Sequence, residues 1–153
     1  MGAAVNASPH NFQAVLLMNP FLDIMGAMSN PTLHLTQHEW DEFGNPLDDI
    51  HARSSISKYC PLMNVRNQYY PPMLLIGAID DENVPFHHSL KFGSKVRNQC
   101  KSSDSSSKRV LLNMEMDGGH HFHGKRLEVN TLKVSFSVRY YLKLKSDNPL
   151  PPK

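Results

Sequence analysis

Cysteine is scarce in this chain, with only Cys60 and Cys100 among 153 residues. They lie far apart and outside any Cys-x-x-Cys spacing, which excludes a disulfide framework and suits free thiols in a reducing compartment. Charge of one sign is also lacking: 16 Lys and Arg face 14 Asp and Glu, a formal +2 with the histidines neutral. No basic stripe interleaves with aromatics, and the nearest cluster, Lys125-Arg126, stands beside Glu128 as a solvated helix face, so no nucleic-acid partner is expected. No run approaches the roughly 18 apolar residues that cross a bilayer, so no membrane association is expected. The start, Met1-Gly2-Ala3-Ala4-Val5, has neither the basic flank nor the apolar stretch of a leader, and the expected location is cytoplasmic. With 8 Gly and 11 Pro, the composition is that of a globular domain rather than a collagenous or low-complexity chain.

Three short apolar runs are present. Ala14-Val15-Leu16-Leu17-Met18 closes on Asn19-Pro20, Met73-Leu74-Leu75-Ile76 closes on Gly77, and a run over residues 110–116 closes on Asp117-Gly118-Gly119. Continuous apolar runs of this length predict strands buried on both faces, as in a parallel sheet. Between the first two, Thr36-Gln37-His38-Glu39 has the capping-box pattern and predicts a short helix ending near Gly44-Asn45-Pro46. Another turn or two is expected over residues 48–57, before Cys60-Pro61. Residues 86–98 suit an amphipathic helix, and residues 127–144 a last one. Residues 101–108, rich in serine, predict a surface loop. Asn6-Ala7-Ser8 fits a glycosylation sequon by accident, given no export signal. The order β-α-α-β-α-β-α implies an α/β fold, an open parallel sheet with crossover helices. Three strands are few for such a sheet, which marks the chain as part of a larger α/β domain.

Chemistry in open parallel sheets gathers at the carboxyl ends of strands. An acidic turn, Asp80-Asp81-Glu82-Asn83-Val84-Pro85, follows the second run, and His120-His121-Phe122-His123 follows the third. An acid after one strand and a histidine after the next is the chain order of α/β-hydrolases, in which the nucleophile comes first. A carboxylate bonded to one ring nitrogen fixes the tautomer that lets the other nitrogen take a proton from a nucleophile. Each piece also has a plainer reading: the acids suit a helix N-terminus, and the histidines a solvated loop or a metal site short of a third ligand. Cys60 reads as structural, and His87 and His88 as surface residues.

Longer motifs surround these pieces. Asn19-Pro20-Phe21-Leu22-Asp23 follows the first run. Leu35-Thr36-Gln37-His38-Glu39-Trp40-Asp41-Glu42-Phe43-Gly44-Asn45-Pro46 carries a Glu-aromatic-x-Glu-aromatic-Gly-Asn-Pro pattern, and Tyr59-Cys60-Pro61-Leu62-Met63-Asn64-Val65 leads to Tyr70-Pro71-Pro72. In this order they resemble the catalytic domain of the prolyl oligopeptidase family of serine peptidases, above all its prolyl endopeptidase-like branch, with oligopeptidase B also similar. The resemblance covers about residues 2 to 145. It implies the C-terminal half of an α/β-hydrolase fold over residues 1–146, with a disordered tail at 147–153.

The resemblance also implies roles. Asp81, in Asp81-Glu82-Asn83-Val84, takes the place of the triad aspartate, with Asp80 as the fallback. Two registers compete for the histidine: His121-Phe122-His123-Gly124-Lys125 favours His121, and the Gly119-His120 step favours His120; His121 is preferred. Asn83 stands where prolyl oligopeptidase has an arginine that helps hold the substrate. No Gly-x-Ser-x-Gly-Gly elbow is present, so the serine, the oxyanion partner and the propeller are expected upstream in the same protein. The expected activity is serine-type hydrolysis of peptide or ester bonds without a cofactor, and the 153 residues alone are expected to be inactive and to fold poorly. The alternative is a truncated, non-catalytic paralogue acting as an interaction module.

Overall fold

The computed structural model describes residues 1–99, 110–122 and 126–147. The serine-rich stretch at 101–108, Cys100, His123 and the tail beyond 147 lie outside the described residues. Three strands, β1 (Val15–Met18), β2 (Met73–Ala78) and β3 (Val110–Glu115), form a parallel sheet in the order β1-β2-β3. Val15 is level with Met73, and Met73 with Val110, so the strands start together; β1 stops at Met18, level with Ile76, while β2 and β3 run two residues further to Ala78 and Glu115. Ile79 N–H continues the β3 ladder by donating to the Glu115 carbonyl at 2.9 Å.

β2 is buried at all six positions, as its unbroken apolar run requires of a central strand. Its alternate residues feed two cores. Met73 and Leu75 join Val15, Leu17, Phe92 and Val96, whereas Leu74, Ile76 and Ala78 join Phe122, Val129 and Phe136. Thus α5 (His87–Gln99) covers one face and α6 (Arg126–Asp147) the other. At about 1.5–3 kcal/mol for each large apolar side chain withdrawn from water, this double coverage is the main stabilisation of the sheet.

A third core lies outside the sheet, where α2 (Ile24–Met28), α3 (Thr36–Phe43) and α4 (Ile50–Tyr59) pack Ile24, Met28, Ile56 and Cys60 against Trp40 and Phe43. The predicted helix at Thr36 exists, but the capping box does not form. Leu35 occupies the cap, and the Thr36 hydroxyl donates instead to the Ala27 carbonyl at 2.9 Å. Trp40 Nε1 donates to the Met28 carbonyl at 3.0 Å. The last carbonyls of α2, which have no partner within their own helix, are thereby satisfied by α3. Tertiary packing has overridden a local signal.

Gly44 ends α3 at φ +82, where glycine carries no steric penalty. Asp49 caps α4 by accepting from His51 N–H at 2.7 Å, and the helix runs two residues beyond its expected end. Two short helices were not expected from periodicity: α1 (Gly2–Ala7) and α2, each shorter than two turns. Asn6 in α1 is 4% exposed. Its amide donates to the Pro61 carbonyl at 2.8 Å and accepts from the Tyr70 hydroxyl at 2.9 Å, which removes it from the surface a glycan would need. Cys60 is a buried free thiol, as expected.

His88 departs from its surface assignment. It is 1% exposed, and its Nδ1 accepts from the backbone N–H groups of Leu22 and Asp23, both at 3.2 Å. The Phe21 ring stacks on it at 5.3 Å. The bond pins α5 to the turn that follows β1. His87, one residue earlier, is partly buried rather than fully exposed.

Candidate active site

The loops after all three strands meet at one end of the sheet. After β2 the chain turns sharply, and the Asp81 side chain folds back to accept from the N–H groups of Asn83 and Val84, each at 2.9 Å. This turn holds the carboxylate in place before any partner arrives. Asp81 is thus not in a helix first turn, since α5 begins only at His87. Asp80, Glu82 and Asn83 are exposed.

After β3 the chain passes through Gly118 and Gly119. Phe122, at φ +51 and 4% exposed, plugs into the core beneath α6. Its N–H donates to the Gly119 carbonyl at 3.0 Å, closing a tight loop around the two histidines. That loop carries His120 to Asp81: Nδ1 lies 2.9 Å from Oδ2 and 3.0 Å from Oδ1. The Asp81 side chain is 1% exposed and the His120 side chain 33%. His121 is exposed and stands edge-on to the His120 ring at 5.3 Å. The Gly119-His120 register is the one that reaches Asp81.

The arrangement is directional. A buried carboxylate already holding two backbone N–H groups receives a third bond from Nδ1–H, and Nε2 keeps its lone pair for a proton. Two hollows flank the pair. A 260 Å³ cavity is walled by Phe21, Met28, Leu33, Glu39, Asn83 and Val84, so its rim begins two residues from Asp81. A 440 Å³ groove beside α6 includes Met18, His120, His121, Arg126 and Lys133. Among the described residues, no three His, Cys, Asp or Glu side chains converge to hold a metal ion, and no helix is long and apolar enough to cross a membrane.

Sequence reasoning missed Asn19. It closes β1 at φ +38, and its Nδ2 donates to the His120 carbonyl at 2.6 Å. The only hint was its place at the end of an apolar run.

A parallel sheet with crossover helices, an acid after one strand and a histidine bonded to it after the next define the C-terminal half of an α/β-hydrolase domain. Residues 1–143 match the model of the prolyl oligopeptidase family, and the chain belongs to that family of peptidases. It is similar to prolyl endopeptidase-like proteins of Xenopus laevis, at 33% identity over 97% of the chain and 22% of the relative, and of Homo sapiens, at 33% over 91% and 19%. Oligopeptidase B from Trypanosoma brucei, solved with covalently bound antipain, superposes with a TM-score of 0.83 at 32% identity. The match spans 91% of the chain and 19% of that enzyme. The chain therefore spans about a fifth of the length of these relatives.

Proposed function

We propose that this chain supplies the acid and the base of a serine peptidase centre whose nucleophile lies upstream in the complete protein. The observation that carries this reading is the buried Asp81 carboxylate bonded to His120 Nδ1 at 2.9 Å across the ends of adjacent strands. The serine hydroxyl attacks the acyl carbon as His120 Nε2 takes its proton. His120 then returns the proton to the leaving amine or alcohol, and water repeats the sequence to release the acid. Asp81 holds the ring and stabilises the imidazolium formed on the way. Substrates are peptides or esters. The 260 Å³ cavity, mostly apolar but with Thr36, the Glu39 carboxylate and Asn83 in its wall, receives a substrate side chain, and exposed Asn83 at its rim contacts the substrate main chain. The 153 residues alone, without a serine elbow, do not turn over substrate.

The test uses the longest native protein that contains this sequence. It should react with a fluorophosphonate, a reagent that labels only activated serines. Replacing His120 with Ala should abolish both labelling and peptide or ester hydrolysis. Hydrolysis that persists in His120→Ala and in Asp81→Asn would overturn the assignment.

A further inference from the structure

Asn19 is the third strand-end residue of the site, and its conformation is unusual. Its φ of +38 lies in the left-handed region that, glycine aside, asparagine enters more readily than most residues. The N–H is held there by the Ile76 carbonyl at 2.8 Å. In this pose Nδ2 donates to the His120 carbonyl at 2.6 Å, across 101 positions of sequence. The Oδ1 atom of the same amide is buried without a hydrogen-bond partner among the described residues. A left-handed backbone angle and an unsatisfied buried oxygen, beside a single side-chain hydrogen bond that reaches the His120 backbone, point to a role beyond folding.

That bond ends on the backbone of the residue whose ring meets Asp81. The two contacts are complementary: Asp81 orients the imidazole about its own bonds, and Asn19 fixes the peptide from which the imidazole hangs. We propose that Asn19 is a positioning residue for His120, holding the loop after β3 so that Nε2 faces the nucleophile. The proposal rests on the reading of Asp81 and His120 as the acid–base pair. Proton transfer from a bound nucleophile tolerates little displacement, and a shift of about 1 Å is enough to cost roughly 10²-fold in rate.

Two substitutions separate the amide from the backbone it sits on, again in the longest native protein containing the sequence. Asn19→Gly keeps the left-handed angle and removes the side chain. Asn19→Asp keeps the shape and removes the donor. The readouts are kcat, KM and the ¹⁵N shifts of the His120 ring at about pH 8, where an unperturbed imidazole is neutral. Both variants should convert one dominant Nδ1–H form into a mixture of tautomers. Both should also lower kcat by about 10- to 100-fold with KM changed less than about twofold. Should Asn19→Gly fail to fold, Asn19→Asp is decisive by itself. Unchanged kcat in the folded variants, with hydrolysis still abolished by His120→Ala, would overturn the positioning role and leave the acid–base pair standing. Disordered tautomers together with hydrolysis that survives His120→Ala would sustain the tether and overturn the pair.

Discussion

Two histidines of this chain, 32 residues apart, make opposite use of the same ring. His120 is one-third exposed at the ends of the strands and donates a hydrogen bond from Nδ1–H to a carboxylate. His88 is 1% exposed between α5 and the turn after β1, and its Nδ1 accepts hydrogen bonds from two backbone N–H groups. The first arrangement leaves a basic nitrogen facing outward and is built to accept protons in turn. The second works only while the ring is neutral, and burial, reinforced by neighbouring His87, pushes the His88 pKa down to about 4. Asp23, Lys91 and Asp81 also act on it, the two carboxylates opposing the shift and the ammonium adding to it. Chemistry is thus assigned by what each ring nitrogen touches rather than by residue type.

The contrast can be broken from either side. The largest effect is expected at the exposed pair: Asp81→Asn keeps the acceptor for the turn amides but favours the wrong imidazole tautomer, and kcat of the complete protein should fall by roughly 10⁴. Its thermal transition should move by less than a few degrees, and a collapse in stability equal to the loss in rate would erase the distinction.

His88→Ala should do the reverse. It empties a packed site and strands the Leu22 and Asp23 amides, costing about 3–5 kcal/mol in denaturant unfolding, while activity per folded molecule stays within about threefold. Smaller and reversible is the effect of acid. The folded pKa of His88 lies below its unfolded value of 6.5, so its contribution is complete above 6.5 and is lost as pH falls through about 4. Unfolding free energy should therefore drop by about 3 kcal/mol over that window. A His88→Gln variant, which retains an acceptor without a titrating ring, should flatten the slope, and an unchanged slope would remove His88 as its source. Asp23 acts lower on the scale. Burial raises its pKa, but the Lys91 ammonium at 2.9 Å and the Gly26 N–H bring it below the usual 3.8.

The smallest effect belongs to His121→Ala. Exposed and set edge-on to its neighbour, His121 should change kcat by less than about threefold. A loss comparable with that of His120→Ala would mean the loop turns its other histidine inward during turnover.

The parts legible in the sequence were those written in contiguous residues. Three apolar runs announced three parallel strands, but only central β2 is covered on both faces as such a run implies; Met18 of β1 and Leu111 of β3 are exposed. The order of the elements carried the α/β class, and the motifs over residues 19–23, 35–46 and 59–72 its hydrolase half. What stayed hidden depends on residues remote in sequence. Thr36 looked like a cap until Ala27 supplied a better acceptor, and His88 looked like a surface residue until the turn at Leu22 offered two donors. The two histidine registers could not be separated by spacing, because Phe122, buried at a left-handed φ, decides which ring the loop turns toward Asp81. Helices α1 and α2 are too short to show a period.

The bond from Asn19 to His120 spans 101 positions and encloses both β2 and the Asp81 turn. The corner is therefore a test of covalent continuity. A single cut anywhere between these two residues would change no side chain, yet it would turn an intramolecular assembly into a meeting of two fragments. The effective concentration that the intervening chain supplies would then have to come from the non-covalent packing between the two pieces.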